Sequence, residues 1–165
     1  MHLQLHNPEA TDLLGQRLAQ WLPPAAVVYL QGDLGAGKST LARALLRSLG
    51  VQGAIRSPTY TLVERYPLFH GQAPAGEAWH LDLYRIADAA ELDCLGLDEA
   101  QVTLWLVEWP EKASTGLPPP DLHVALEMRG CGRSVVIGAR TPGGETWLGL
   151  LAADSQLRPL SVQTM

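Results

Sequence analysis

Gly32-Asp33-Leu34-Gly35-Ala36-Gly37-Lys38-Ser39 has the full spacing of a phosphate-binding P-loop. Glycines are needed in such a loop because the backbone must curl until several N–H groups point at the phosphates, where side chains would collide with the ligand. In this pattern the lysine reaches the β- and γ-phosphates, and the hydroxyl that follows it coordinates Mg²⁺. The sequence therefore predicts a nucleotide site, whose binding residues in the loop are Asp33, Leu34, Gly35, Ala36, Gly37, Lys38, Ser39 and Thr40.

The flanking sequence supports this interpretation over a simple glycine-rich linker. Residues 26–30 form an apolar run that is typical of a buried strand. Residues 40–49 carry leucines at helical spacing until Gly50, which predicts a helix that begins at the loop. The positive end of that helix dipole would face the phosphates, so strand, loop and helix follow in the order that the chemistry requires.

Length and composition bound the remaining possibilities. The chain has 165 residues, and we predict one domain over residues 1–150 followed by a tail over residues 151–165. A net charge of −5 argues against direct binding of nucleic acid by this chain alone. The sequence contains no apolar stretch of membrane-spanning length and no secretory signal pattern, so we expect a cytoplasmic protein with no membrane partner. Its two cysteines, Cys94 and Cys131, lie too far apart to indicate a zinc site.

The pattern of elements predicts an α/β fold. Helices are expected at residues 8–22, 40–49, 88–94 and 97–101, and strands at 3–6, 26–30, 78–85 and 102–107. Residues 57–66 indicate a loop that enters a strand, and residues 71–76 an exposed tip. Residues 122–128, 134–139 and 146–150 indicate a strand meander. We therefore predict a P-loop NTPase-type three-layer sandwich with a mixed, partly parallel central sheet and a C-terminal antiparallel meander.

Two acidic residues are candidates for the acid that a P-loop requires. Such an acid normally ends an apolar strand beside the P-loop strand, because Mg²⁺ keeps few protein ligands and depends on their placement. Glu108 ends the apolar run 102–107 and fits this description best, although a strand-ending glutamate can also simply face solvent. Asp82 is the competing candidate, either as a ligand through water or as the group that orients the attacking water. The sequence leaves open whether Asp82 contacts the metal directly.

Other residues near these motifs are weaker candidates. The turn Ser57-Pro58-Thr59-Tyr60 is rich in hydroxyls and has the composition of a loop that senses a γ-phosphate, with Thr59 as a binding residue. Arg56 and Arg85 are candidates for neutralising phosphoryl charge. His80 has no second histidine or cysteine at ligand spacing, which favours a strand histidine with an internal partner over a metal ligand. Trp109 is interpreted either as core or as a lid over the site.

Motifs that this sequence lacks argue against several classes of P-loop protein. Asn7 is the only asparagine, so the Asn-Lys-x-Asp motif that reads guanine in GTPases is absent from this sequence. There is no Leu-Ser-Gly-Gly-Gln stretch of transporter-type ATPases, and the late part of the chain lacks the arginine-bearing helical pattern of a kinase lid. ATP hydrolysis is the favoured activity. A small-molecule or nucleoside kinase is the alternative, and a binding module that senses ATP without cleaving it is a third hypothesis.

Taken together, four motifs resemble the bacterial TsaE family, formerly YjeE. They agree with that family in order and spacing, and the resemblance covers residues 3–150. The motifs are Gly32-Asp33-Leu34-Gly35-Ala36-Gly37-Lys38-Ser39-Thr40, Ser57-Pro58-Thr59-Tyr60-Thr61-Leu62-Val63-Glu64, His80-Leu81-Asp82-Leu83-Tyr84-Arg85 and Leu106-Val107-Glu108-Trp109-Pro110.

The resemblance implies an ATPase that works with the TsaD and TsaB proteins in making threonylcarbamoyladenosine beside the anticodon of tRNA. The tRNA would be reached only through those partners, which agrees with the acidic charge of the chain. By the same resemblance Lys38 binds phosphate, Ser39 and Glu108 hold Mg²⁺, and Asp82 acts on the metal or the water. Thr59 would belong to a switch loop. Ser39 replaces the threonine that is commoner in this family, and both hydroxyls ligate Mg²⁺.

Overall fold

Seven strands form one mixed sheet in the computed structural model, which describes residues 1–87, 90–93, 102–113 and 115–162. The strands are β1 (His2–Leu5), β2 (Ala26–Gln31), β3 (Val63–His70), β4 (Ala73–Asp82), β5 (Val102–Glu108), β6 (Leu122–Arg129) and β7 (Gly132–Ala139). The helices are α1 (Pro8–Gln20), α2 (Lys38–Ser48), α3 (Ala90–Asp93) and α4 (Pro142–Ala153). Single 3₁₀ turns cover Pro110–Lys112 and Arg158–Leu160.

The P-loop strand β2 lies in the middle of the sheet. The strand order is β1-β7-β6-β2-β5-β4-β3, and β2 pairs in parallel with both β6 and β5. Strand β4 is parallel to β5, whereas the β3–β4, β6–β7 and β1–β7 pairs are antiparallel. The carboxyl ends of β2, β5 and β4 therefore meet at one edge, where ligands of open α/β sheets bind. The predicted mixed, partly parallel sheet is confirmed.

The two faces of the sheet carry separate hydrophobic clusters. Along β2, the alternate residues Ala26, Val28 and Leu30 belong to one cluster, whereas Tyr29 packs against the other. Helices α1 and α2 cover the first face with their leucines. The second cluster has seven buried members among the residues described: Trp79, Leu81, Leu83, Ile86, Leu92, Val102 and Val107. Because both faces are covered, the central strand β2 is apolar on both sides from Ala26 to Leu30.

Helix α1 packs closely on the P-loop helix α2. It begins where the sequence indicates, because the Asn7 side chain accepts a hydrogen bond from the Ala10 N–H at 2.9 Å and Pro8 occupies the first turn. Gly15 makes the close approach possible: a Cβ atom there would lie 2.5 Å from the Cβ of Ala44 in α2. Among the described residues, no helix combines the length and apolar character needed to cross a membrane.

The predicted strand at residues 146–150 is wrong, because these residues lie in helix α4. The helix begins after Thr141, whose side chain accepts a hydrogen bond from the Gly144 N–H at 3.0 Å. Gly144 belongs to the helix and is required by packing, since a Cβ there would lie 2.1 Å from the Asp121 carbonyl oxygen. Trp147 and Leu151 are four residues apart and are both buried. The C-terminal meander is therefore a β6–β7 hairpin followed by a helix.

Several other elements have different boundaries in the structure from those that the sequence predicts. The exposed tip predicted at residues 71–76 is a two-residue turn at Gly71 and Gln72, and β4 continues from Ala73 to Asp82 rather than from 78 to 85. The weak sequence pattern of the tail predicts a loose segment. Leu157 is instead fully buried, Ser161 forms a bridge with Leu3, and the described part of the tail packs on β1. Of the short helices predicted at 88–94 and 97–101, only α3 is described, and residues 97–101 lie outside the described residues.

Candidate nucleotide site

The P-loop follows β2 and turns into α2 through backbone conformations that favour glycine. Gly35 and Gly37 have φ angles of 81° and 104°. Gly37 is also constrained by packing, because a Cβ atom there would lie 2.4 Å from the Nε of Arg133. The Nε–H of Arg133 donates to the Ala36 carbonyl oxygen at 2.9 Å. An arginine of β7 thus bonds to the backbone of the loop.

Lys38 is buried at the first position of α2, with 4% of its surface exposed. Its ammonium group donates to the carbonyl oxygens of Gly32 at 2.7 Å and Asp33 at 2.9 Å, and it lies 4.1 Å from the centre of the Trp109 ring. Burial lowers the pKa of Lys38, and the nearby carboxylates, Glu108 first, oppose that shift. Since an ammonium group has three donors, one remains for a ligand in this site.

Glu108 lies where the sequence predicts an acid. It ends β5 and is in register with Leu30 of the P-loop strand on one side and with Asp82 of β4 on the other. Only 2% of Glu108 is exposed. The hydroxyl of Ser39 donates to its Oε2 at 2.9 Å, and the Nε2 of His80 lies 2.7 Å from its Oε1. The solvent-facing alternative for Glu108 is therefore excluded by its burial.

Asp82 connects the site to the hydroxyl-rich turn. Its Oδ2 accepts a hydrogen bond from the Thr59 hydroxyl at 2.9 Å, and its Oδ1 accepts the backbone N–H of Tyr84 at 3.0 Å. The oxygens of Ser57 and Thr59 are 2.9 Å apart, which extends the chain of hydrogen bonds into the turn. Leu62 closes this turn with a φ of 64°, and its carbonyl accepts the Asp82 N–H at 3.0 Å. The structure thus joins Thr59 to Asp82.

Trp109 forms one wall of the site and has a left-handed backbone conformation, with a φ of 57°. For a bulky side chain this conformation costs on the order of 1–3 kcal/mol and is found mainly where a site requires it. Its ring packs against Tyr84, with centroids 5.0 Å apart, and on the Lys38 ammonium group. Of the two interpretations of Trp109, the structure favours a wall over the site.

These side chains enclose a cleft of about 190 Å³ at the carboxyl edge of the sheet. Two further residues line it that the sequence reasoning missed, Tyr84 and Arg133. Tyr84 shares a motif with Asp82, whereas no local pattern marks Arg133. The predicted residues that line the cleft are Leu34, Gly35, Gly37, Lys38, Ser39, Thr40, Thr59, Asp82 and Glu108.

Four other candidates do not line the cleft. Asp33 and Ala36 contribute carbonyl oxygens to the loop's own hydrogen bonds, and Ala36 is buried. The Arg85 guanidinium lies 4.5 Å from the centre of the Tyr60 ring. Arg56 is exposed, and its backbone bonds to the hydroxyl of Tyr66. The expectation that either arginine faces the phosphoryl group therefore has no support in this geometry.

The donor atoms fit Mg²⁺ bound together with a nucleotide. Mg²⁺ prefers hard oxygen ligands and is usually held by one or two carboxylates plus phosphate oxygens. Ser39, Glu108 and Asp82 offer a hydroxyl and two carboxylates beside the P-loop. Within the described ranges, no three His, Cys, Asp or Glu side chains are grouped as metal ligands. This set of oxygens suits a Mg²⁺ ion whose other ligands are phosphate oxygens of a nucleotide.

Comparison with known proteins agrees with the four motifs. A family model described as "Threonylcarbamoyl adenosine biosynthesis protein TsaE" matches residues 5–135. A relative from Haemophilus influenzae, named tRNA threonylcarbamoyladenosine biosynthesis protein TsaE, is 43% identical over 124 residues, covering 73% of this chain and 75% of the relative. A relative of the same name from Synechocystis is 42% identical over 118 residues and covers 68% of this chain and 71% of its own length.

The fold also has a counterpart among solved structures. The crystal structure of Bacillus subtilis YdiB superposes with a TM-score of 0.72 at 24% identity, covering 92% of this chain and 93% of that one. At this identity the likeness supports the fold alone. Because the family model matches residues 5–135 and the two relatives are 43% and 42% identical over segments that cover more than two thirds of each chain, the chain belongs to the TsaE family.

Proposed function

We propose that this protein binds ATP with Mg²⁺ in the cleft at the P-loop and hydrolyses it. We further propose that the hydrolysis serves the formation of threonylcarbamoyladenosine in tRNA, through a complex of the TsaD and TsaB proteins. The observation that carries the first part is the contact between Ser39 and Glu108, at 2.9 Å, beside a buried P-loop lysine. The second part is supported by membership of the TsaE family and by the names of the relatives.

In this proposal each residue of the cleft has a role that follows from its position. The backbone N–H groups of the P-loop and the ammonium group of Lys38 bind phosphate oxygens. Ser39 and Glu108 hold the metal ion, which when bound would neutralise charge that develops on the phosphates. Trp109 covers Lys38 and excludes water from one side of it.

In this proposal Asp82 orients the attacking water molecule. Its carboxylate is buried, with 4% exposed, and it is held from two sides by the Thr59 hydroxyl and the Tyr84 N–H. A carboxylate fixed in this way accepts a proton or a hydrogen bond in a defined direction, as phosphoryl transfer to water requires. The bond from Thr59 also gives the turn at residues 57–60 a route by which the state of the site reaches the surface. Tyr60 in that turn is 82% exposed and available to a partner protein.

The test is a measurement of phosphate release from ATP by the purified protein, alone and with TsaD and TsaB. We expect hydrolysis that requires Mg²⁺, needs no added phosphoryl acceptor and rises when the partners are present. Glu108→Gln should reduce release to background, whereas the matched change Glu127→Gln, at an exposed residue paired with Arg129, should leave it unchanged. Phosphoryl transfer to a small molecule well above the rate of release to water would contradict the proposal and favour a kinase. ATP binding without turnover under every condition would favour a sensing module.

A further inference from the structure

His80 is a fully buried histidine, and within the described part of the chain its side chain has one polar contact, with Glu108. It lies on β4 with none of its surface exposed, and its Nε2 is 2.7 Å from Oε1 of Glu108. The other oxygen of that carboxylate, Oε2, accepts the Ser39 hydroxyl at 2.9 Å. Among the described residues, each oxygen of Glu108 therefore has one side-chain partner, and together the two partners fix the carboxylate.

The contact defines which imidazole nitrogen carries the hydrogen. Beside a carboxylate, Nε2 must be the donor, because a lone pair there would face the negative oxygen. The other nitrogen, Nδ1, is buried and has no hydrogen-bond partner among the residues that the structure describes. A buried polar atom without a partner destabilises the fold, and an apolar side chain at this position would avoid that cost. The histidine is therefore better explained by what its Nε2 does than by packing.

We infer that His80 is a positioning residue that orients Glu108 and thereby sets the affinity of the site for Mg²⁺. The inference rests on the proposed function, because it concerns the same carboxylate. By occupying Oε1, His80 leaves Oε2 directed towards Ser39, where the two predicted metal ligands meet. Carboxylates that bind metals are commonly fixed by such outer hydrogen bonds, and losing one typically lowers metal affinity about 10–100-fold.

Two amide variants separate this role from a structural one. The amide nitrogen of glutamine reaches about as far as Nε2 of histidine, whereas that of asparagine reaches only as far as Nδ1. His80→Gln therefore keeps a donor near Glu108, and His80→Asn removes it while preserving a polar side chain. Thermal unfolding of each variant without nucleotide shows how far the fold itself is affected.

The experiment is a calorimetric titration of ADP into each protein at increasing Mg²⁺ concentrations and in the presence of a chelator. We expect His80→Asn to require about 10–100-fold more Mg²⁺ for the same enhancement of ADP binding, with metal-free ADP affinity unchanged. His80→Gln should stay within about threefold of the unmodified protein. Equal Mg²⁺ dependence in the asparagine variant would overturn the inference. If that variant does not fold, a loss larger than threefold in the folded glutamine variant would overturn it.

The proposed function fails in a different way in the same experiment. If the unmodified protein binds no ADP at any Mg²⁺ concentration, the nucleotide site itself is refuted, and the role of His80 falls with it. If ADP binds with a Mg²⁺ dependence that neither variant alters, the nucleotide site stands and only the role of His80 is refuted.

Discussion

Replacing Gly15 by alanine tests whether the packing of α1 on α2 is as close as the structure describes. A Cβ atom at this position would lie 2.5 Å from the Cβ of Ala44 and 2.8 Å from backbone atoms of Ala44 and Leu45. Backbone cannot rotate away as a flexible side chain can, so the two helices would have to separate. Overpacking of this kind costs about 1–3 kcal/mol or more.

Helix propensity acts in the opposite direction. Alanine is favoured over glycine inside a helix by about 0.8–1 kcal/mol, so without the clash Gly15→Ala would stabilise the protein. We expect the clash to dominate and the free energy of unfolding to fall by about 1–2 kcal/mol, which lowers Tm by about 2–8 °C for a chain of this size. Since α2 carries Ser39, a shifted helix should also weaken ADP binding.

A matched glycine on another helix supplies the control. Gly149 lies in α4, is exposed, and a Cβ atom there would meet nothing within 4 Å. Gly149→Ala should therefore raise Tm by about 2–4 °C, because only the propensity term operates. Thermal unfolding followed by circular dichroism measures both variants. A rise in Tm for Gly15→Ala comparable to that for Gly149→Ala would refute the close packing of α1 on α2.

Three further predictions concern the site and the C-terminal segment. Thr59→Val removes the 2.9 Å hydrogen bond to Asp82, so ATP turnover should fall about tenfold or more while ADP affinity stays constant; unchanged turnover would contradict a role for this bond. Leu157→Ala should lower the free energy of unfolding in urea by about 2–5 kcal/mol because Leu157 is fully buried, and a cost near zero would mean that the segment is loose. Burial opposes ionisation of Asp154, but hydrogen bonds, first from Trp21, and the guanidinium of Arg17 hold its pKa below the ordinary 3.8. Folding therefore favours the ionised carboxylate, so the stabilisation it provides is complete above pH 3.8 and is lost as the pH falls through the lower pKa of the folded state. The free energy of unfolding of Asp154→Asn, measured against pH, should therefore approach that of the unmodified protein in this acid range. A difference between the two proteins that stays constant with pH would contradict the prediction.

The local parts of the site could be predicted from the sequence because local patterns encode them. The P-loop spacing defines Lys38 and Ser39, and the apolar run before Glu108 places that acid at the end of a buried strand. The P-loop residues and Glu108 come together because of the strand order, since the carboxyl ends of neighbouring parallel strands lie at one edge of the sheet. Asp82 also lies at this edge, although the sequence placed it inside a strand at residues 78–85, and its bond to Thr59 depends on how the turn folds back.

The parts that were missed depend on contacts between distant segments. Arg133 lies 97 positions from Ala36, and only the docking of β7 beside the loop brings them together. Helix α4 was mistaken for a strand because Pro142-Gly143-Gly144 has the composition of a turn. In the structure Pro142 is in the first turn of the helix, and Gly144 is required by the Asp121 carbonyl. Neither requirement is visible without the tertiary structure.

The register of β4 on β5 has a consequence for which changes in chain length this fold can accept. The register shift between Glu77 and Ala78 is followed by regular pairing up to Asp82 opposite Glu108. Inserting or deleting one residue after the shift would turn Asp82 to the other face of the sheet and bring an apolar neighbour to the site. At the other end of the hairpin, the exposed turn at Gly71 lies far along the strand from Asp82 and can change length freely. The β3–β4 hairpin therefore accepts changes in length at its tip but not at its base, beside Asp82.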